Sequence, residues 1–207
     1  MSTRIQHVAI RAARLTPAEA VLMIDVQVAL LTPTTELRGR LIGPSSPYST
    51  TIEVAYPVRT AERRPGHPPI LRAKVVIPEP SWWDVDSPFL YHGPVELWEH
   101  EHKVDETRLR LGLRYAEWRD GSLVWNGRPL ALRSQTLSEI DEPTLRSLRE
   151  RGFNSVILPP GPARSVYPLA DRIGMLVFSD ADFDPIALLH PSAMALQPTT
   201  SATASAN

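Results

Sequence analysis

Proline is the feature of this sequence that most restricts its fold. The 207 residues include 21 prolines, about twice the share usual in globular proteins. Because proline fixes φ and lacks a backbone N–H, it is excluded from helix interiors and from central strands. Segments such as Gly43-Pro44 and Pro78-Glu79-Pro80 therefore interrupt regular secondary structure and predict many short strands joined by turns.

The segments between these breakers alternate apolar and polar residues, as strands with one buried face do. The clearest is residues 21–30, where Asp25 and Gln27 lie between aliphatic side chains. The other runs are residues 7–15, 37–42, 50–58, 70–77, 94–102 and 107–118. About seven such runs with turn signals between them predict an antiparallel sandwich, although the pattern also fits other all-β folds.

The pattern changes after Trp118. Residues 122–133 predict two short strands around Asn126-Gly127, a strong tight-turn dipeptide. Residues 141–152 predict a helix, because an acidic cap and a proline open it and a glycine ends it.

The remaining segments complete an alternation of strands and helices. Residues 153–158 form an apolar strand, residues 163–173 a second helix closed by glycine, and residues 175–178 another apolar strand. This succession predicts a right-handed parallel β/α arrangement. The Ala-, Ser-, Thr- and Pro-rich residues 190–207 predict a disordered tail.

Composition excludes several classes of function. With 22 basic against 23 acidic residues the net charge is −1, which favours neither nucleic acid nor an anionic membrane as a partner. The absence of cysteine excludes thiolate, redox and cysteine–zinc chemistry. Residues 1–15 lack the unbroken apolar stretch of a signal peptide, and no window is long and apolar enough to cross a bilayer. We therefore expect a soluble, cytoplasmic protein.

Several segments together resemble glycoside hydrolase family two, the β-galactosidase, β-glucuronidase and β-mannosidase group. The first is WDVDSPFLY at residues 83–91. The second is RLGLR at residues 110–114, followed by WNGRPLALR at residues 125–133. The third is NSV at residues 154–156, followed by LADRIGMLV at residues 169–177. These motifs keep the family's order and spacing.

The resemblance implies a mainly β chain with an α/β part. Residues 1–118 are expected to form an immunoglobulin-like β-sandwich. Residues 119–189 are expected to form a truncated β/α (TIM-type) barrel fragment of about three strands and two helices, and residues 190–207 the tail.

The sequence departs from the family where sugar-binding residues are expected. After the first barrel strand the family has Gly-x-Asn and a nearby His, and after the second an Arg and a His. Here these positions hold other, partly aliphatic residues. Remnant sugar-pocket positions are Ser134, Gln135, Thr136, Ile157, Pro160 and Asp180, the last following the third strand.

No catalytic residue is assigned. Retaining glycoside hydrolysis needs two carboxyl groups about 5–5.5 Å apart, and the family's glutamates follow the fourth and seventh barrel strands, beyond the three expected here. The candidate carboxylates are Glu139, Asp141, Asp180, Asp182 and Asp184. Capping of strand and helix ends is the favoured interpretation of all five, so we do not expect the chain to hydrolyse sugars on its own.

Other candidate sites are weak. Residues 180–184 imitate the start of a calcium loop, but Pro185 replaces the required glycine. His100 and His102 would share one face of a predicted strand, yet zinc needs a further ligand, so an exposed strand face is favoured. No metal and no cofactor are expected. A sugar-stacking platform is less favoured than packing for Trp82, Trp83, Trp98, Trp118 and Trp125.

Two hypotheses for function remain. The first is a non-catalytic binding or interaction module with a carbohydrate or protein partner. The second is a part or relic of a carbohydrate-hydrolysing enzyme that needs the rest of the barrel from another chain. Because three parallel strands leave two open edges and one uncovered face, we also expect the fragment to pack against the sandwich or to self-associate.

Overall fold

The computed structural model describes residues 3–159, 165–179 and 188–195. Within these ranges, eight strands form two antiparallel four-stranded sheets, with the orders β1-β2-β6-β5 and β4-β3-β7-β8. The strands are β1 Ile5–Leu15, β2 Glu19–Val28, β3 Glu36–Ser45, β4 Val54–Pro57, β5 Thr60–Arg64, β6 Ile70–Pro78, β7 Leu90–Glu99 and β8 His102–Leu111.

The two sheets enclose one apolar core, and the alternation in β2 shows why. Leu22, Ile24 and Val26 are fully buried, whereas Asp25 and Gln27 lie on the outer face. The same period of two buries alternate residues of β6, which pairs with β2 in the same sheet, and of β7, which lies in the facing sheet. Alternating hydrophobicity therefore predicted the buried face of β2 correctly.

Parts of the strand assignment differ from the prediction. β5 was not predicted, because its residues are almost all polar. The run at residues 107–118 is broken after Leu111, and β9, Ala116–Arg119, pairs with β10, Ser122–Trp125, in a separate three-stranded sheet. The predicted domain limit at residue 118 thus falls inside β9.

The histidine pair expected on one strand face is not there. β7 and β8 form a hairpin in which Glu99 pairs with His102. His100 and Glu101 form its turn, with φ of 47° and 64°. The prediction that His100 and His102 share a strand face is wrong, because the chain reverses between them.

The predicted turn at Asn126-Gly127 is confirmed. It joins β10 to β11, Arg128–Pro129, and both turn residues have positive φ, 50° and 80°. Two-residue hairpins of this twist need positive φ at both positions, which asparagine and glycine adopt at low cost.

A four-stranded parallel sheet follows, in the sequential order β12-β13-β14-β15. The strands are β12 Ser134–Thr136, β13 Ser155–Ile157, β14 Leu176–Ser179 and β15 Ala193–Ala195. The first strand therefore lies at residues 134–136, after the predicted run at residues 122–133 rather than within it. The expectation of three strands is also wrong, since β15 comes from the predicted tail.

Strand β15 was missed because its three residues, Ala-Met-Ala, carry almost no hydrophobic pattern. Its pairing with β14 aligns Met194 beside Phe178, and Met194 is buried. The outer edge of β14, expected to be open, is therefore paired. The rest of the predicted tail, residues 196–207, lies outside the described residues.

Both predicted helices are present. α1, Glu142–Glu150, begins at the N-cap Asp141, whose carboxylate accepts a hydrogen bond from the Thr144 backbone N–H at 2.8 Å. α2, Val166–Ile173, ends at Gly174 in the left-handed conformation, with φ 76°. Residues 163 and 164 of the predicted second helix lie outside the described residues.

The parallel sheet is covered on both faces within the chain. Leu145 and Leu148 of α1 pack with Val156 and Val177 on one face. On the other face, Trp83 and Trp125 pack with β13–β15 residues; their rings are 5.5 Å apart, edge to face, and both are buried. The interpretation of these two tryptophans as packing residues is confirmed.

Candidate functional site

The carboxyl ends of β12 to β15 lie along one edge of the parallel sheet. The register places Thr136, Ile157, Phe178 and Met194 side by side in one row. Because neighbouring side chains in register point to the same face, this row lies on the face that packs against the tryptophans. It is the position at which a barrel enzyme gathers its catalytic groups.

This row is almost entirely apolar. Phe178 and Met194 are buried, with Trp118 6.5 Å from the Phe178 ring. Ile157 is half-buried in the same cluster. Thr136, exposed at the outermost strand, supplies the one hydroxyl of the row. Such a surface holds no acid, base or nucleophile for sugar chemistry.

Ser134 lies one row deeper on the same face. Its hydroxyl is 2.7 Å from that of Ser155, which is fully buried and also donates to Asn154 Oδ1 at 3.3 Å. The two serines therefore satisfy each other across β12 and β13.

Gln135 lies on the opposite face. Its register partner is Val156, which packs against the helices, and Gln135 shares a shallow surface depression with Thr144 and Arg151 of the α1 region. Sequence reasoning grouped it with its neighbours, but a period of two sends adjacent residues to opposite faces. Gln135 is thus not a residue of the sheet's inner edge.

The candidate carboxylates fall into two groups. Asp141 caps α1, and hydrogen bonds from Thr144 lower the pKa of its carboxyl, so the capping interpretation is confirmed for it. Glu139 is exposed in the segment before α1. The remaining carboxylates, Asp180, Asp182 and Asp184, lie outside the described residues, and so does the expected pocket position Pro160.

Sequence reasoning missed a polar cluster in which Asp171 and Ser192 are buried and Arg114 and His190 are half-buried. Asp171 of α2 is 1% exposed. Its Oδ1 accepts from the Ser192 hydroxyl at 2.6 Å and backbone N–H at 3.0 Å, and its Oδ2 is 2.9 Å from His190 Nδ1. The sequence carries little signal for it, since Asp171 is followed directly by Arg172, while His190 and Ser192 lie about twenty residues later and Arg114 lies far earlier in the chain.

Arg114 completes this cluster from the end of the antiparallel sheets. Its Nη2 donates to the Ala193 carbonyl at 3.0 Å, and its guanidinium lies 5.1 Å from the Trp125 ring. Burial lowers the pKa of Arg114 to about 10, and the Asp171 carboxylate partly opposes this shift. The cluster thus joins the segment after β8 to α2 and to the start of β15.

The cluster does not have the geometry of a hydrolytic triad. In such a triad the imidazole lies between the serine and the carboxylate and takes the serine proton. Here the carboxylate lies between Ser192 and His190 and accepts from the hydroxyl directly, while His190 stacks on Tyr167. The arrangement positions the strand rather than activating a nucleophile.

A family model described as "Glycosyl hydrolases family 2" matches residues 3–114, more than half of the chain. The chain belongs to glycosyl hydrolase family 2. The resemblance drawn from the sequence motifs is confirmed.

Curated relatives are much longer than this chain. The β-galactosidase of Leuconostoc mesenteroides is 27% identical over 177 residues, covering 73% of this chain but 17% of the relative. That of Oenococcus oeni is 26% identical over 126 residues, covering 54% of this chain and 12% of the relative. The chain therefore spans less than a fifth of either enzyme.

Solved structures of a β-glycosidase and a β-glucuronidase share the fold of this chain. A β-glycosidase from Bacteroides vulgatus has a TM-score of 0.67 and 16% identity, covering 97% of this chain and 31% of that one. A β-glucuronidase from Bifidobacterium dentium, complexed with coumarin-3-O-glucuronide, has a TM-score of 0.67 and 18% identity, covering 86% of this chain and 30% of that one.

Neither α1 nor α2, the helices of the described ranges, has the length and hydrophobicity to span a membrane.

Proposed function

We propose that this chain joins an immunoglobulin-like sandwich to the first four strands of a β/α barrel and acts as a non-catalytic binding or interaction module. The strand orders β1-β2-β6-β5 and β4-β3-β7-β8 support the first part. One sheet of the immunoglobulin fold consists of strands A, B, E and D, and β1, β2, β6 and β5 take these places when β4, at the edge of the other sheet, is left out of the count. The fold proposal rests on this order and on one buried tyrosine.

Tyr91 is the second residue of β7 and is fully buried. Its hydroxyl accepts from the Ser81 backbone N–H at 2.9 Å, and it lies 3.4 Å from the Ser81 carbonyl. A tyrosine at this strand, bonded to backbone upstream in the preceding connection, is typical of immunoglobulin-like sandwiches.

The barrel proposal rests on the parallel sheet. Its strands follow one another in chain order, and α1 and α2 lie in the connections and cover one face. Sequential parallel strands with helices between them are the pattern of a β/α barrel. Strand β15 makes the fragment one strand longer than the sequence predicted.

The absence of a carboxylate after the fourth strand carries the non-catalytic proposal. The family resemblance places one catalytic glutamate at the end of that strand, which here is β15. Residues 196–207, which follow β15, contain neither aspartate nor glutamate. Since retaining hydrolysis needs both carboxyl groups, the chain lacks one of them at the expected position.

Turnover of aryl β-galactoside, β-glucuronide and β-mannoside by the purified chain tests this proposal. We expect rates equal to those of buffer. The Asp180→Asn variant is the matched control, because Asp180 follows the third strand. Turnover by the wild type that the Asp180→Asn variant loses would refute the proposal. Titration calorimetry with oligosaccharides would measure the binding that a binding module requires.

The open sheet edges favour a second candidate, a part of an enzyme completed by another chain. Within the described residues β12 and β15 each pair with one strand, so each has an edge that a further strand can join. Light scattering coupled to size exclusion separates the two. A mass near 23.1 kDa fits an independent module, a doubled mass indicates self-association through these edges, and activity gained on adding the remaining barrel strands supports the second candidate.

A further inference from the structure

A cleft lined by basic residues lies between the outer face of β7 and β8 and the two helices. It consists of two neighbouring cavities of about 530 Å³ and 290 Å³, which meet at His92 and Arg110. Cavities of some hundreds of cubic ångströms suit small ligands. We call the two together the basic cleft.

Four arginines from three elements reach the basic cleft. Arg108 and Arg110 come from β8, Arg146 from α1 and Arg172 from α2. Arg110 is paired in register with His92, and both point outward because their neighbours in each strand face the core. The strand pairing and the helix packing thus bring these cations together.

Acidic groups neutralise the basic cleft only in part. Asp171 is its one lining carboxylate among the described residues, and it is buried and hydrogen-bonded to Ser192 and His190. Glu142 accepts from Arg146 at 2.9 Å and from Arg172 at 3.4 Å, so two arginines share one carboxylate. Arg108 lies 3.4 Å from the carboxylate of Glu106, which also pairs with Lys103.

Arg110, at the junction of the two cavities, has no ion-pair partner within the part of the chain that the structure describes. The whole chain has a net charge of −1, so this concentration of positive charge is local. Fields of one sign inside a cleft attract ligands of the opposite sign.

We propose that the basic cleft binds an acidic oligosaccharide, with its carboxylate or sulfate groups on the arginines. This inference rests on the proposed binding function. Guanidinium groups bind carboxylate and sulfate oxygens through paired, charge-assisted hydrogen bonds. Pro168 and Leu189 also line the cleft and offer apolar surface to a sugar ring, and the lining residues Ser45 and Thr107 offer hydroxyl partners.

Titration calorimetry on the full chain tests this inference with three hexasaccharides: a uronic acid oligomer, a sulfated oligomer and a neutral oligomer. We expect at least one acidic oligomer to bind more tightly than the neutral one, and added salt to weaken that binding. The double variant Arg110→Gln/Arg172→Gln should bind it at least about tenfold more weakly, the loss expected for a charge-assisted contact.

Arg128→Gln is the matched control, because Arg128 is an exposed arginine on β11 that lines neither cavity. Circular dichroism of all variants shows that the fold is retained. Equal binding of acidic and neutral oligomers, or an equal loss in the control, would overturn the inference and leave the binding proposal standing. If none of the oligomers binds, the proposed carbohydrate binding falls as well.

Discussion

Replacing Asp171 by alanine should release β15 from the rest of the molecule. The carboxylate accepts two hydrogen bonds from Ser192 and lies 2.9 Å from the His190 ring. These two residues lead directly into β15, whose pairing with β14 also depends on the Val177 N–H donating to the Ser192 carbonyl at 2.8 Å. One side chain of α2 therefore anchors the outermost described strand.

The expected loss follows from what alanine leaves behind. Each hydrogen bond to a charged acceptor contributes about 1.5–3 kcal/mol, and these bonds are coupled because they share one carboxylate. The change also removes the charge that favours protonated Arg114. Removing one partner of a buried charged network costs about 3–5 kcal/mol, which we take as the loss in unfolding free energy. Asp171→Asn, which keeps an acceptor oxygen, should lose less.

Urea unfolding followed by circular dichroism measures the loss, and hydrogen exchange of residues 188–195 locates it. Glu139→Ala is the control, since Glu139 is an exposed carboxylate, and it should change neither quantity. A loss below about 1 kcal/mol in Asp171→Ala, the size typical of an exposed pair, together with unchanged exchange, would show that the cluster does not anchor β15.

Three further changes test other parts of the structure. Burial raises the pKa of Tyr91 from 10.0 to about 12, so the folded state holds this proton more tightly than the unfolded state. About 2–3 kcal/mol of stability should therefore be lost as the pH rises from 10 to 12. Tyr91→Phe has no phenol to titrate, so its urea midpoint should fall less over this pH range than that of the wild type. His100→Asn/Glu101→Gly should raise the unfolding free energy by about 1 kcal/mol, because the turn residues have positive φ, and an unchanged midpoint would argue against strain there. Trp83→Phe should lower the unfolding free energy by about 2–4 kcal/mol in the same assay, since it leaves a cavity and removes the indole donor 2.8 Å from the Asp171 carbonyl. A loss no larger than that of an exposed substitution would contradict the packing role of Trp83.

The sequence by itself determined the features that depend on near neighbours. The buried face of β2 follows from alternating residues, the turn at Asn126-Gly127 from positive φ, and the start of α1 from the Asp141 cap. Each is a preference of a few adjacent residues, which holds whatever surrounds them. The family motifs could be recognised from the sequence because each is a short, contiguous segment.

Only the tertiary structure decided the features whose partners lie far apart in the chain. Strand β15 exists through pairing with β14 and through Asp171, about twenty residues earlier. The face of Gln135 depends on its register with Val156. The basic cleft forms where arginines of β8, α1 and α2 converge. Hydrophobic pattern and local propensity carry no information about such pairings, because the free energy that stabilises them comes from contacts made after the chain has folded.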